Sequence, residues 1–317
     1  MTKRTFDLSI PMPKAIVATI TPSLRELVSP KLVELGAGTG ALAFAILAQL
    51  AETDFKHLTY AILEPSPELR ARQRTKLAQF GDRVTWLDSL EPASIEGVII
   101  ANEVADALPV ERFAKRDGRS LIQGVACDAG QFVWRERQAE ATELAAVDDL
   151  EQQLGEPLPD GYESEYCPLL APWVTTVADA LRRGLALLID YGLPAREYYH
   201  PQRNRGTLIC HYRHRAHNDP FMFPGLQDIS AWVNFSGLAA AASAAGMTVA
   251  GYTTQGGWLT ESLLRSDAQL TNIAVEHLAK LKTLVLPGEM GERFKVMSLS
   301  KGLPAPSLGG RDMRKWL

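Results

Sequence analysis

The chain has 317 residues, of which 46% are apolar and 22% charged, with a formal charge of −4; this describes a globular chain with material for one large domain or two smaller ones. The sequence pI of about 5.9 excludes a global basic field that would recruit nucleic acid. Cys127, Cys167 and Cys210 are scattered and form no CxxC pair, so neither a disulfide framework nor a zinc knuckle is expected, and no apolar run approaches the roughly 18–20 residues of a membrane span.

The amino end, MTKRTFDLSIPMPK, carries Asp7 and two prolines and has no apolar h-region. No signal peptide is expected, and a soluble, cytoplasmic protein is the default. From 31 onward strand-like and helix-like patterns alternate. KLVEL reads as a strand, TGALAFAILAQLAE as a buried helix, HLTYAILE as a second strand and SPELRARQRTKLAQF as an amphipathic helix. RVTWLD and EGVIIANE follow as strands three and four. Strands separated by helices of this length predict a parallel sheet covered on both faces.

The pattern then changes. RFAKRDGRSLIQGVACDAGQFVWRERQ has turns at Asp117-Gly118 and Ala129-Gly130, which predicts an antiparallel meander inserted after strand four. A polar helix at 139–154, a loop and the helix LLAPWVTTVADALRRG lead into LALLIDYG, a fifth parallel strand. Residues 191–234 show little regular pattern beyond a strand at TLICHY, a long excursion of the kind that usually carries function. Helix FSGLAAAASAAG, strand MTVAGYTTQ and helices to about 282 resume the core. A final hairpin is predicted, KTLVLP against RFKVMSLS, followed by a fraying tail, GLPAPSLGGRDMRKWL.

Gly36, Gly38 and Gly40 stand between the first strand and its helix, where glycine allows positive φ and close approach of backbone N–H groups to a ligand. Gly36, Gly38 and Ala41 also satisfy the relaxed dinucleotide pattern G-x-G-x-x-G/A, and Glu64, ending strand two, can grip ribose hydroxyls in either class. Glu34, just before the glycines, favours a cationic nucleoside, because a sulfonium donor has no pyrophosphate to place on the helix N-terminus. In open α/β sheets the ligand lies at the carboxyl ends of the strands. Strand four delivers Asn102, Glu103 and Asp106 there, and Asp88 ends strand three at a position suited to adenine.

Taken together, VELGAGTGALA, LEPSPELRARQR, ANEVADALPVERF, the ALLIDYG block with the stretch after it, PGLQDISAWVNF and LPGEMGERFKVM resemble the MidA-like methyltransferases. These are bacterial relatives of the mitochondrial complex I assembly-factor arginine methyltransferase. The resemblance covers about residues 31–301. It implies an α/β, Rossmann-like class I methyltransferase sheet with an inserted antiparallel β meander and irregular insertions at about 111–180 and 191–234. It also implies S-adenosylmethionine as donor and a protein arginine as acceptor.

Position by position, Glu34, Gly36, Gly38 and Gly40 match the donor-binding motif and Glu64 the acid of strand two, with Asp88 and Asn102 as further donor contacts. Glu103 and Asp106 fall in the N-E-x-x-D-A-L-P block, Tyr191 in I-D-Y-G and Asp228 in P-G-x-x-D; these four are the expected catalytic and pocket-forming residues. The family's G-D-F-x-T-A/S-P-E block has no counterpart in residues 1–30, so a short amino-terminal segment is expected there, and 302–317 is expected to be a flexible tail. Asn234 and Trp232 stand where many relatives have Asp and His.

His211, His214 and His217 are spaced like metal ligands, but Arg213 and Arg215 between them would repel a cation, so no metal site is expected. The 196–217 stretch interleaves five arginines with Tyr198, Tyr199 and Tyr212, a composition that also suits RNA. Three further functions stand beside protein-arginine methylation: RNA methylation, an inactive relative serving as an assembly module, and an NAD-linked oxidoreductase.

Overall fold

The structure, a computed structural model, describes residues 11–51, 53–213, 215–265, 275–304 and 307–317. The first half runs α1 (Pro11–Arg25), β1 (Lys31–Leu35), α2 (Ala41–Leu50), β2 (Thr59–Leu63), α3 (Pro67–Leu77), β3 (Val84–Leu87) and β4 (Ile95–Asn102). Next come β5 (Glu111–Arg116), β6 (Arg119–Asp128), β7 (Gln131–Gln138), α4 (Ala141–Leu154) and β8 (Glu163–Tyr166). After α5 (Leu170–Ala180), β9 (Leu181–Leu193) and α6 (Ala195–Tyr198) lie the short strands β10 (Ile209–Tyr212), β11 (Arg215–His217), β12 (Asp228–Ser230) and β13 (Val233–Asn234). The chain ends with α7 (Phe235–Ala244), β14 (Thr248–Thr254), α8 (Gln255–Arg265), α9 (Val275–Val285), α10 (Met290–Arg293) and β15 (Phe294–Lys301).

The main sheet has the strand order β14-β15-β9-β4-β1-β2-β3, with β13 beside the end of β9. Strands β3, β2, β1, β4 and β9 are parallel, whereas β15 runs antiparallel to both β9 and β14. Alternate residues of β1 and β4 enter two cores, as the period of two requires. Leu32, Val98 and Ile100 pack with α1, α2 and α8 on one face. Val33, Ile99 and Ala101 pack with α5 and α7 on the other. The predicted meander is present as β5, β6 and β7, completed by β8 in the order β7-β6-β5-β8. With α4 it encloses a third core around Phe113, Val147 and Tyr162.

Four expectations are corrected. KTLVLP forms no hairpin: residues 282–285 are the last turn of α9, and β15 instead inserts between β14 and β9, where both its faces are buried. The 191–234 stretch holds more than one strand, because β10 pairs antiparallel with both β11 and β12. The tail does not fray across its described part: Leu308 and Met313 are buried, and the Met313 N–H donates to the Tyr252 carbonyl at 2.8 Å. Of the short amino-terminal segment 1–30, residues 1–10 lie outside the described residues, and 11–30 contribute more than a lead-in, since Ile16, Ile20 and Leu24 of α1 are fully buried and the Trp258 indole N–H donates to Thr19 at 2.9 Å.

Candidate functional site

Between β1 and α2 the backbone passes through Gly36, Gly38 and Gly40 at φ +63°, +55° and +76°, a left-handed region closed to most L-residues. The Gly36 N–H donates to the Leu63 carbonyl at 2.9 Å, which ties the turn to the end of β2. A Cβ on Gly36 would sit 3.3 Å from Val104 Cγ2, and one on Gly40 3.3 Å from Gln73 Cγ, so both glycines are needed for close packing. Gly38 differs. Nothing lies within 4 Å of where its Cβ would be, so its backbone faces open space at the carboxyl end of the sheet.

Two acids flank this turn, and both are buried. Glu34 accepts a 2.8 Å hydrogen bond from the Tyr60 hydroxyl and is 2% exposed. Burial raises its pKa to about 7; the Tyr60 bond opposes the rise and the Glu64 charge adds to it. Glu64 accepts from the Ser66 N–H at 3.1 Å and from Gln73 Nε2 at 3.2 Å.

Gln73, on α3, is a residue that the sequence reading missed. It is fully buried, donates to the Gly38 carbonyl at 2.8 Å and accepts from Trp86 Nε1 at 2.9 Å. One amide thereby joins the glycine turn, the end of β2 and β3. Arg70 makes a second clamp, with Nε on the Glu64 carbonyl at 2.7 Å and Nη2 on the Leu87 carbonyl. Its Nη1 pairs at 2.8 Å with Asp88, which is an exposed residue at the end of β3.

Across the turn, β4 ends beside β9, with Asn102 in register with Ile189 and β9 running on to Leu193. Glu103 follows at φ +53°, a conformation that costs a non-glycine residue about 1–2 kcal/mol. Its N–H donates to the Ile189 carbonyl at 2.9 Å, and Asn102 Nδ2 reaches its carboxylate at 3.4 Å. Asp190 is buried and accepts the N–H groups of Ala105, Asp106 and Tyr191 at 3.0, 3.2 and 2.9 Å, fixing the turn that follows β4. The Tyr191 hydroxyl donates to Asp106 at 2.6 Å.

Burial, then the charges of Asp106 and Glu103, push the Asp190 pKa up, while its backbone donors oppose the rise. Burial and the Asp106 charge likewise hold the Tyr191 phenol far above its ordinary value, so it remains a donor. The predicted Glu103, Asp106 and Tyr191 thus come together, and Asp190 joins them. Asp228 lies on β12, in register with His211; burial first, then the charges of Asp219 and Asp228, push up the Cys210 thiol. Ser230, two residues further on, is the β12 residue that bonds Tyr191.

Tyr198 and Tyr199 of the basic stretch are buried rather than displayed. Both hydroxyls go to Glu165, Tyr198 to its carboxylate at 2.9 Å and Tyr199 to its carbonyl at 3.2 Å. Tyr212 stacks on Phe223 with centroids 4.2 Å apart. His211 and His217 lie on adjacent strands, and His214 lies outside the described residues. Among the described residues no group of three or more His, Cys, Asp or Glu is arranged to hold a metal ion, and no helix is long and apolar enough to cross a membrane.

Residues 16–253 match the family model described as an S-adenosyl-L-methionine-dependent methyltransferase. Two solved structures from Burkholderia thailandensis are similar over nearly the whole chain. One, a COG1565-superfamily protein bound to S-adenosyl-homocysteine, is 39% identical, with a TM-score of 0.85 over 96% of this chain and 81% of its own. The other, a native crystal structure from the same superfamily, is 37% identical, with a TM-score of 0.84 over 98% of this chain and 86% of its own. No curated protein matches the chain.

Proposed function

The chain belongs to the S-adenosyl-L-methionine-dependent methyltransferase family, and we propose that it methylates an arginine side chain of a protein. The observation that carries this reading is the carboxylate group at the ends of β4 and β9. Glu103, Asp106 and Asp190 stand there beside a tyrosine hydroxyl, next to the glycine turn that Val104 touches. A neutral acceptor would gain nothing from the Glu103 and Asp106 carboxylates. A guanidinium, protonated to pH values above 12, needs them.

The residues fit the donor. The open space over Gly38 admits a ligand against bare backbone, and the surrounding acids suit a cationic nucleoside better than a pyrophosphate. Gly36, Gly38, Gly40 and Glu64 would hold S-adenosylmethionine, which supplies an electrophilic sulfonium methyl for in-line attack by a nitrogen lone pair. Glu103 and Asp106 would grip the guanidinium fork through charge-assisted bonds and accept the proton it gives up. The Tyr191 hydroxyl holds Asp106 in one rotamer, and Asp190 holds the turn that presents it. Most of the acceleration would come from positioning two bound reactants.

The burial of Tyr198 and Tyr199 removes the ring faces that RNA stacking would use, which supports the protein reading over the RNA one. The test supplies the chain with methyl-tritiated donor and either cell protein or total RNA. Label should enter protein and be recovered after acid hydrolysis as methylated arginine. Label recovered only in RNA, or on another amino acid, would overturn the reading.

A further inference from the structure

A cavity of about 740 Å³ opens beside the carboxylate group, bounded by α4 on one side and α7 on the other. Ala105, whose N–H is held by Asp190 and whose neighbour is Asp106, lines one end of it. The α7 wall is built from Gly237, Ala240, Ala241 and Ala244, small residues that leave width for a main chain. The opposite wall is acidic. Glu111, Glu143 and Asp149 are among the lining residues, and no lysine or arginine is. At the rim Arg137 pairs with both carboxylate oxygens of Glu143, at 2.8 and 2.5 Å, which offsets that charge and leaves Glu111 and Asp149 as the wall's other acids.

Aromatic rings complete the lining. Tyr166 is one of them; burial first, then Glu143 and Glu111, hold its phenol above its ordinary pKa, and Arg137 opposes the rise. Trp232 already carries the Arg203 guanidinium 5.0 Å from its ring centre, so its environment tolerates that cation. The volume falls within the ~300–1,000 Å³ of pockets that take a few functional groups rather than a folded domain.

We infer that this cleft is the docking groove for the acceptor protein and takes an unstructured segment of arginines or lysines interspersed with small apolar residues, one end of which reaches the turn at 105–106. The inference rests on the arginine reading above and adds what flanks the methylated side chain. Lining carboxylates without lysine or arginine select against a nucleic-acid backbone and against an acidic peptide, and attract a basic one. Small residues on α7 admit an extended chain, and the Tyr166 ring offers a face for guanidinium stacking.

The test uses a short fluorescein-labelled peptide of arginines separated by alanines and leucines, and a twin with glutamate for arginine. Binding is read by anisotropy and methylation by mass spectrometry. The variants are Asp149→Lys and Ala240→Trp, both at exposed positions outside the donor site. Each should weaken the basic peptide by about tenfold or more, equivalent to about 1.4 kcal/mol, raising KM while leaving kcat and S-adenosylhomocysteine affinity unchanged. Equal affinity of all three proteins for the basic peptide, or preference for the glutamate twin, would overturn the groove, even if arginine is methylated. Variant-sensitive binding of the basic peptide without any methyl on arginine would leave the groove standing and overturn the arginine reading instead.

Discussion

Glu34 sits beneath the glycine turn at a cost to the fold, and Glu34→Gln should recover that cost in a pH-dependent way. The carboxyl is buried against Tyr60, and its pKa rises from an ordinary 4.5 to about 7, mainly through burial. A carboxyl that holds its proton more tightly when folded makes the native state bind more protons between those values. Stability therefore falls as pH rises through the window from about 4.5 to 7 and stays low above it. At 1.36 kcal/mol per pH unit the full loss is about 3 kcal/mol.

Glutamine has the same shape, keeps an oxygen for the Tyr60 hydroxyl and carries no charge to desolvate. At pH 8 the variant should be more stable than the wild type by about 3 kcal/mol, or ~4–5 °C in Tm for a chain of this length. By pH 5 most of that advantage should be gone. Thermal melts followed by circular dichroism at pH 5, 6, 7 and 8 measure the difference directly. A Tm gap that is the same at pH 5 and pH 8, or a variant less stable at pH 8, would refute the reasoning. The same preparation should bind the cationic donor more weakly by calorimetry, since the amide offers no charge.

The other predictions concern the turn and the carboxylate group. Gly38→Ala meets no atom within 4 Å, so it should cost only the left-handed strain of about 1–2 kcal/mol in denaturant unfolding. Its donor affinity should fall further than that, by more than about tenfold, because the new methyl stands where ligand would touch backbone. Gln73→Leu removes the bonds to Gly38, Glu64 and Trp86 at once and should destabilise by about 2–4 kcal/mol. It should also loosen donor binding although no contact of the side chain with donor is invoked; unchanged affinity would show that the turn holds its shape unaided. Tyr191→Phe deletes the 2.6 Å bond to Asp106 and should lower kcat by up to about 100-fold, as misplacing a reacting group by about 1 Å does. Donor affinity should stay within about twofold; a change in donor affinity with kcat intact would place Tyr191 on the donor instead.

The parallel core was legible because its apolar runs are short, regular and separated by helix-length segments, from KLVEL through EGVIIANE. The missed elements had weaker local patterns. Three prolines, Pro11, Pro13 and Pro22, obscured α1, whose helix is held by packing on the sheet rather than by propensity. KTLVLP is an apolar run too short to separate strand from helix by period, and burial of Leu284 decides it. In the site, the glycines, Glu103 and Asp106 could be read from type and spacing, whereas Tyr191 came only through the family resemblance. Gln73 could not: it lies on the most polar helix, and its main partner is 35 residues away. The left-handed backbone at Glu103 has no sequence sign either, since the strain is imposed by its bond to Ile189.

The sequence also concealed why residues 85 positions apart can act as one group. Strands β4 and β9 are neighbours in the sheet, and the register of Asn102 with Ile189 sets Glu103 and Asp190 on the same edge. The meander, α4 and α5 leave and re-enter the sheet between these two strands, so nothing in the insertion needs to move for the carboxylates to meet. This division has a mechanical consequence for the proposed function. In that reading donor binding and proton handling rest on the parallel strands, whereas the acidic wall of the cleft rests on α4 and β5, outside that sheet. Changes in α4 should therefore alter which acceptor is admitted, through KM, and leave the geometry that orients a bound guanidinium intact.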